Sequence, residues 1–301
     1  MDVDLRIPGL DELDGISRAL GEWHHDNGPL HLHPGDLGWY SLRGAAATAA
    51  ATRVWSSGNT ALAIALIDGP QLLRFAMDPA RHQDESLARR IVADVGEPAT
   101  GVLDAGSATI EARGASALSG QLAKEGWVPD EPWTPLRRDL TGPVEVTGLR
   151  VETVEPDSTD EWVAVHWSAF RETPMPEERV RSFVHGWRTA AKGPFFGSAR
   201  ILALHNDSDN DTDAVAVAVA VATVWSAGVG RPGLIEPMGV HQDHRGRGYG
   251  TMMTRAAAAA LREMGSSSAA VCAESSNAGA VSTYLAAGFT AHPEVSDWRR
   301  D

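Results

Sequence analysis

The chain has 301 residues, 43% of them apolar, a formal net charge of −14 and a single cysteine. That length holds two domains of ordinary size, and the acidic balance excludes nucleic acid as a partner, because gripping phosphates takes a basic face. One cysteine excludes an intrachain disulfide, and no apolar run is long enough to span a bilayer. The opening Met1-Asp2-Val3-Asp4-Leu5-Arg6 lacks the basic-then-apolar layout of a secretion signal. A cytoplasmic protein with no membrane partner is expected, acting as a monomer or homodimer. Its acidic surface suits cationic amines and equally serves plain solubility.

In chain order, His24, His25, His31 and His33 cluster near Asp36 without the spacing of a zinc site, so no metal is expected there. Leu72-Leu73-Arg74-Phe75-Ala76-Met77-Asp78 reads as a strand. It runs into Pro79–Leu87, which has no glycine and carries Asp84 and Glu85, two carboxylates that would repel a pyrophosphate. A helical pattern over Ala117–Ala123 leads to Gly126-Trp127 and a strand at Leu136–Leu140. Thr141–Gly148, rich in Gly, Pro and Thr, reads as a linker.

Beyond the linker, a strand is expected at Leu149–Val154, helices at Asp160–Phe170 and Glu177–Ala191, and strands at Ala199–Leu204 and Ala214–Trp225. Between the last two, Asp207, Asp209, Asp211 and Asp213 imitate the start of a calcium loop. The glycine at the sixth position is absent and Ala218 stands where the closing Glu belongs, so a solvated hairpin is the reading. Gly233–Val240 reads as a strand, Arg245-Gly246-Arg247-Gly248-Tyr249-Gly250 as a turn, and Thr251 onward as an alanine-rich helix. A strand at Ala269–Ala273, a helix at Ala280–Ala286 and Gly288-Phe289 complete the chain. Cys272, on that strand, reads as a small apolar residue and not a nucleophile.

The two halves end alike. Arg137-Arg138-Asp139 follows Gly126 at the interval at which Arg299-Arg300-Asp301 follows Gly288, each Gly-aromatic pair being preceded by a helix. This echo points to a duplication. In that register Leu122 stands where the second half has Tyr284, so the first half reads as a copy that keeps the fold without the chemistry.

A strand, a glycine-rich turn and a helix N-terminus make an anion site, where the glycines let several N–H groups converge and the helix dipole adds positive potential. The turn has no lysine for a P-loop, and Thr251 replaces the third glycine of a dinucleotide fingerprint. Arg245-x-x-Gly248-x-Gly250 after a strand instead resembles the acetyl-CoA motif of the GCN5-related N-acetyltransferases (GNAT family). Asn277 leading a helix, followed by Tyr284 and Gly288-Phe289, resembles that family's other signature. The tandem layout with one silent copy is similar to that of mycothiol synthases.

The resemblance implies an α/β fold of two tandem GNAT-like acyl-CoA N-acyltransferase domains, each a mixed, centrally splayed sheet flanked by helices. Residues 1–143 would be the degenerate domain and 144–301 the catalytic one, with acetyl-CoA as co-substrate. Met238, Gly239 and Val240 would line the acetyl group and pantetheine arm, Pro237 marking the interrupted ladder. Arg245, Gly246, Arg247, Gly248, Tyr249, Gly250 and Thr251 would hold the pyrophosphate, and Asn277 would cap its helix, contact the cofactor, or both. Glu236 is the candidate base for the acceptor ammonium; pairing with a surface arginine is the alternative. Tyr284 is the candidate acid for the departing thiolate, or a packing tyrosine. Trp39 or Tyr40 of the first half would form a wall of the acceptor cleft. The expected function is acetyl transfer to a primary amine of a small molecule in a ternary complex, the alternative a non-catalytic acyl-CoA sensor or scaffold.

Overall fold

One order of elements is laid down twice along the chain. The first run is β1 (Asp4–Arg6), α1 (Leu13–Trp23), α2 (Pro34–Tyr40), α3 (Ala45–Ala51), β2 (Thr52–Ser57), β3 (Thr60–Ile67), β4 (Leu72–Met77), α4 (Glu85–Gly96), β5 (Ala108–Glu111), α5 (Ser116–Lys124) and β6 (Val128–Asp139). The second is β7 (Arg150–Thr153), α6 (Asp160–Phe170), α7 (Glu177–Ala190), β8 (Ala199–Asn206), β9 (Val217–Trp225), β10 (Gly233–Val240), α8 (Tyr249–Glu263), β11 (Ser268–Glu274), α9 (Ala278–Ala286), β12 (Thr290–Ala291) and β13 (Val295–Arg300). This computed structural model describes residues 2–146, 148, 150–171, 173–206 and 217–301; the alternating-aspartate run and the first residues expected in the strand before Trp225 lie outside them.

The two runs build one sheet whose order is β1-β2-β3-β4-β5-β13-β6-β11-β10-β9-β8-β7, with β12 pairing on β6. The order is a palindrome in kind, because the halves have exchanged their last strands. From the first half, β6 lies antiparallel along β11, Asp139 opposite Ser268 and Trp133 opposite Glu274. From the second, β13 lies antiparallel along β5, with Trp298 opposite Ile110. The exchanged strands pair with each other at the centre, so neither half has a complete sheet without the other.

Alternation puts one face of each strand under each helical layer. On β8, Leu202 and Leu204 join the core beneath α8 and α9, whereas Ile201 and Ala203 join the core beneath α6 and α7. α8 lies close to the sheet because Ala256, Ala257, Ala258 and Ala260 present no bulk, and alanine is also the strongest helix former. The first half reaches into the second at α2. Gly35 and Gly38 lie one helical turn apart against the buried Trp225 of β9, where added Cβ atoms would stand 2.5 Å from the Trp225 Cβ and 2.2 Å from its indole ring. Only glycine permits that approach.

The same seam buries a histidine cluster. His24 stacks on His31 at 4.4 Å and meets His33 edge-on at 4.8 Å. The His33 ring contacts the Pro232 carbonyl of the second half at 3.1 Å, and Arg231 donates to the His24 carbonyl at 3.1 Å. Among the described residues no group of three or more His, Cys, Asp or Glu is placed to hold a metal, and no helix is long and apolar enough to cross a membrane.

Candidate active site

The site opens where the sheet comes apart. β10 and β11 run parallel but pair only at Gly233 with Ala269 and Leu234 with Ala270. Beyond Leu234 the β11 side of β10 has no strand partner. On its other side the ladder to β9 slips between Ile235 and Met238, at Pro237, which has no N–H to give. Backbone groups of Met238, Gly239 and Val240 are thereby left facing a gap.

The turn after β10 supplies the second wall. Gly246 and Gly248 take φ of +75° and +83°, a left-handed conformation that glycine adopts without steric cost. Gly248 is the N-cap of α8, and no side chain caps that helix. The first-turn N–H groups of α8 have no intrahelical partner by geometry and point into the cleft. α6 and α9 close the other sides, and two glycines let them approach. A Cβ on Gly239 would lie 2.5 Å from the Ala169 Cβ, and one on Gly250 would lie 3.0 Å from Thr283.

The resulting cleft has a volume of about 610 Å³. Every residue expected to hold the cofactor lines it except Arg247, whose side chain is at the surface. Arg245 lines the cleft while donating to the Ala169 carbonyl at 2.7 Å, which ties the end of α6 over the opening. Asn277 both lines the cleft and caps α9, its Oδ1 accepting from the Ala280 N–H at 3.0 Å.

The first half carries a smaller cleft at the corresponding place, the start of α4 facing α5. It measures about 340 Å³ and is lined by Glu85, Ser116, Gln121 and Lys124 among others. Here the helix N-terminus is already satisfied, since Asp84 caps α4 by accepting from the N–H groups of Ser86 at 3.1 Å and Leu87 at 3.0 Å. The carboxylate that repels a phosphate also occupies the amides a phosphate would use.

The acid–base candidates sit behind the cleft, at the splay. Glu236 projects from β10 half-exposed and accepts from Arg74 Nη2 at 3.3 Å. The alternative of an arginine partner is therefore realised, but the arginine is a mostly buried residue of the first half. Tyr284 is buried in the core, with only 6% of its surface exposed. Its phenol pKa is pushed up, first by burial and then by the charge of Glu236, so it keeps its proton. Its ring lies tilted against Phe289, with centroids 6.0 Å apart. The Cys272 thiol is raised to about 11, chiefly by burial, and stays protonated and unreactive at neutral pH. Trp39 packs into an aromatic cluster with Trp162, His166, Phe183 and Trp187, anchoring α6 and α7 to the first half. Tyr40 lies under the Arg43 guanidinium.

Residues 160–289 match the sequence profile of the Acetyltransferase (GNAT) family. That segment is similar to a GNAT domain. The GNAT match spans the turn, α8, β11 and α9, the elements that shape the cleft. Over 99% of its length the chain is similar to a tandem GNAT protein from the clavulanic acid biosynthesis pathway, covering 98% of that chain at 18% identity and a TM-score of 0.63. It also resembles a GCN5-related N-acetyltransferase from Sphaerobacter thermophilus (99% and 95% covered, 17% identity, TM-score 0.57). A GNAT-family acetyltransferase from Colwellia psychrerythraea matches over 100% of both chains at 11% identity and TM-score 0.59. These likenesses establish the tandem GNAT fold. No curated protein matches the chain.

Proposed function

We propose that this protein is an acetyl-CoA-dependent N-acetyltransferase that moves an acetyl group to a primary amine of a small molecule by direct transfer in a ternary complex. The observation that carries the reading is the contrast between the two helix N-termini: α8 is uncapped and opens into the larger cleft, whereas α4 is capped by Asp84. The working domain is residues 144–301, and residues 1–143 carry the silent copy.

In this reading the turn amides of α8 hold the pyrophosphate, and the backbone of Met238 and Val240 pairs with the pantetheine amides in the gap beside β10. Glu236 takes a proton from the acceptor ammonium through an ordered water, because only the free amine is a nucleophile. The amine nitrogen bonds to the acetyl carbon as the carbon–sulfur bond breaks, and the second proton on that nitrogen passes to the Tyr284 oxygen once the phenol has protonated the thiolate. Tyr284, neutral across the physiological range, donates to the developing thiolate.

Glu236→Gln and Tyr284→Phe each lower kcat by roughly 100-fold or more, the usual worth of a positioned acid or base, and leave KM for acetyl-CoA unchanged. Release of free CoA thiol over a panel of small amines, aminoglycosides and amino-sugar conjugates measures this. Unchanged turnover in both variants contradicts the roles. Tight acetyl-CoA binding without turnover on any amine favours a sensor.

A further inference from the structure

Gly126 and Gly288 lie one repeat apart, as do Arg137 and Arg299, and the spacing between Arg74 and Glu236 is the same 162 residues. Arg74 on β4 is thus the silent half's counterpart of Glu236 on β10. In the sheet these strands are separated by β5, β13, β6 and β11, about 24 Å if the sheet were flat. The two side chains nevertheless meet at 3.3 Å, so the central strands curl and bring the two splayed strands face to face.

The contact is built from the first half outward. Arg74 Nη1 donates to Asp36 at 2.9 Å, Nε to Asp68 at 3.0 Å, and Nη2 is left for Glu236. Asp36 is itself fixed, accepting from the His33 N–H at 2.6 Å. A planar guanidinium held at two of its corners has the direction of the third determined. Glu236 has no such anchor of its own, for Arg74 is its side chain's only hydrogen-bond partner among the described residues. Arg74 is 20% exposed and Glu236 39%, so the anchor is mostly buried while the carboxylate reaches the open side.

We infer that Arg74 is a positioning residue for the second half's reaction: the copy without a cofactor site is retained because it aims the Glu236 carboxylate at the acceptor amine. The inference rests on the proposed role of Glu236. A displacement of about 1 Å at a reacting group costs on the order of 100-fold in rate.

The test compares wild type, Arg74→Met and Arg74→Lys in crystal structures with CoA bound and in turnover on the best amine of the panel. In Arg74→Met the Glu236 carboxylate moves by about 1 Å or more, and kcat falls roughly 100-fold with KM for acetyl-CoA unchanged. Arg74→Lys recovers part of both, because one ammonium keeps the charge without the fork. If Arg74→Met does not fold, the double variant Arg74→Met/Asp36→Asn removes a buried carboxylate with its partner and carries the same measurements. A Glu236 carboxylate that stays in place with unchanged kcat, or a wild-type crystal structure without the Arg74–Glu236 contact, overturns the inference. Glu236→Gln separates the two readings. Activity lost in Glu236→Gln but kept in Arg74→Met sinks only the positioning role, whereas activity kept in Glu236→Gln sinks the base itself.

Discussion

Gly248→Val raises the dissociation constant for acetyl-CoA at least about 100-fold, while Glu85→Ala in the first-half cleft leaves it unchanged. The glycine is not there for lack of room, since an added Cβ at Gly248 would meet nothing within 4 Å. It is there for its φ of +83°, which a β-branched residue adopts only under strain. Valine relaxes that strain by rotating the peptide planes at the start of α8, and the N–H groups cease to converge. Each hydrogen bond to a charged group is worth about 1.5–3 kcal/mol, so losing two costs around two powers of ten or more. Calorimetry reads the change directly. Wild-type affinity in Gly248→Val contradicts the assignment of the turn as the pyrophosphate site.

Acidification from pH 6.5 towards 4 destabilises the fold through the histidines of the seam and of α6. Burial lowers His24 and His166 to about 4, and His31 and His33 well below their usual value. The unfolded chain binds these protons near pH 6.5 and the native chain does not. Their stabilisation is therefore complete above 6.5 and lost as pH falls. For His24 alone the full window amounts to ~3 kcal/mol, a large share of a typical domain's stability. Two carboxyls run the other way. Asp36 is raised to about 7 and Asp297 is raised as well, each chiefly by burial, so their contribution is present at low pH and lost as pH rises. The four imidazoles outnumber them, and the net sign remains loss in acid. His31 is the position to test, because both its ring nitrogens are buried without a hydrogen-bond partner among the described residues. Thermal unfolding from pH 4.5 to 7.5 shows a falling Tm for wild type on the acid side and a flatter profile for His31→Leu. Equal slopes refute the account of the seam.

The strand at Gly233–Val240, the turn after it and the helix led by Asn277 were legible because each is encoded locally. Glycine spacing, a run of alanines and a capping Asn act within a few residues. The strand exchange was not legible. β6 ends in Arg137-Arg138-Asp139 and β13 in Arg299-Arg300 with Asp301 just beyond it, so the two final strands are near-equivalents. Which half each serves is decided by pairing across more than a hundred residues, not by any local preference. Asp84 was readable as a repulsive charge, but its capping bonds depend on the backbone it sits on. Arg74 was read only as part of a strand in a silent copy. The signal that points to it is the repeat interval itself, which sets it opposite Glu236 once the sheet is known to curl.

In the proposed reaction one half of the duplicated fold binds the co-substrate while the other shapes its site. Calorimetric titration of the intact protein with acetyl-CoA, with NADH as control, tests this most directly. The account predicts one acetyl-CoA per chain and no NADH binding. Two per chain would show that the cleft capped by Asp84 also binds the co-substrate, and none would leave the uncapped start of α8 as structure alone.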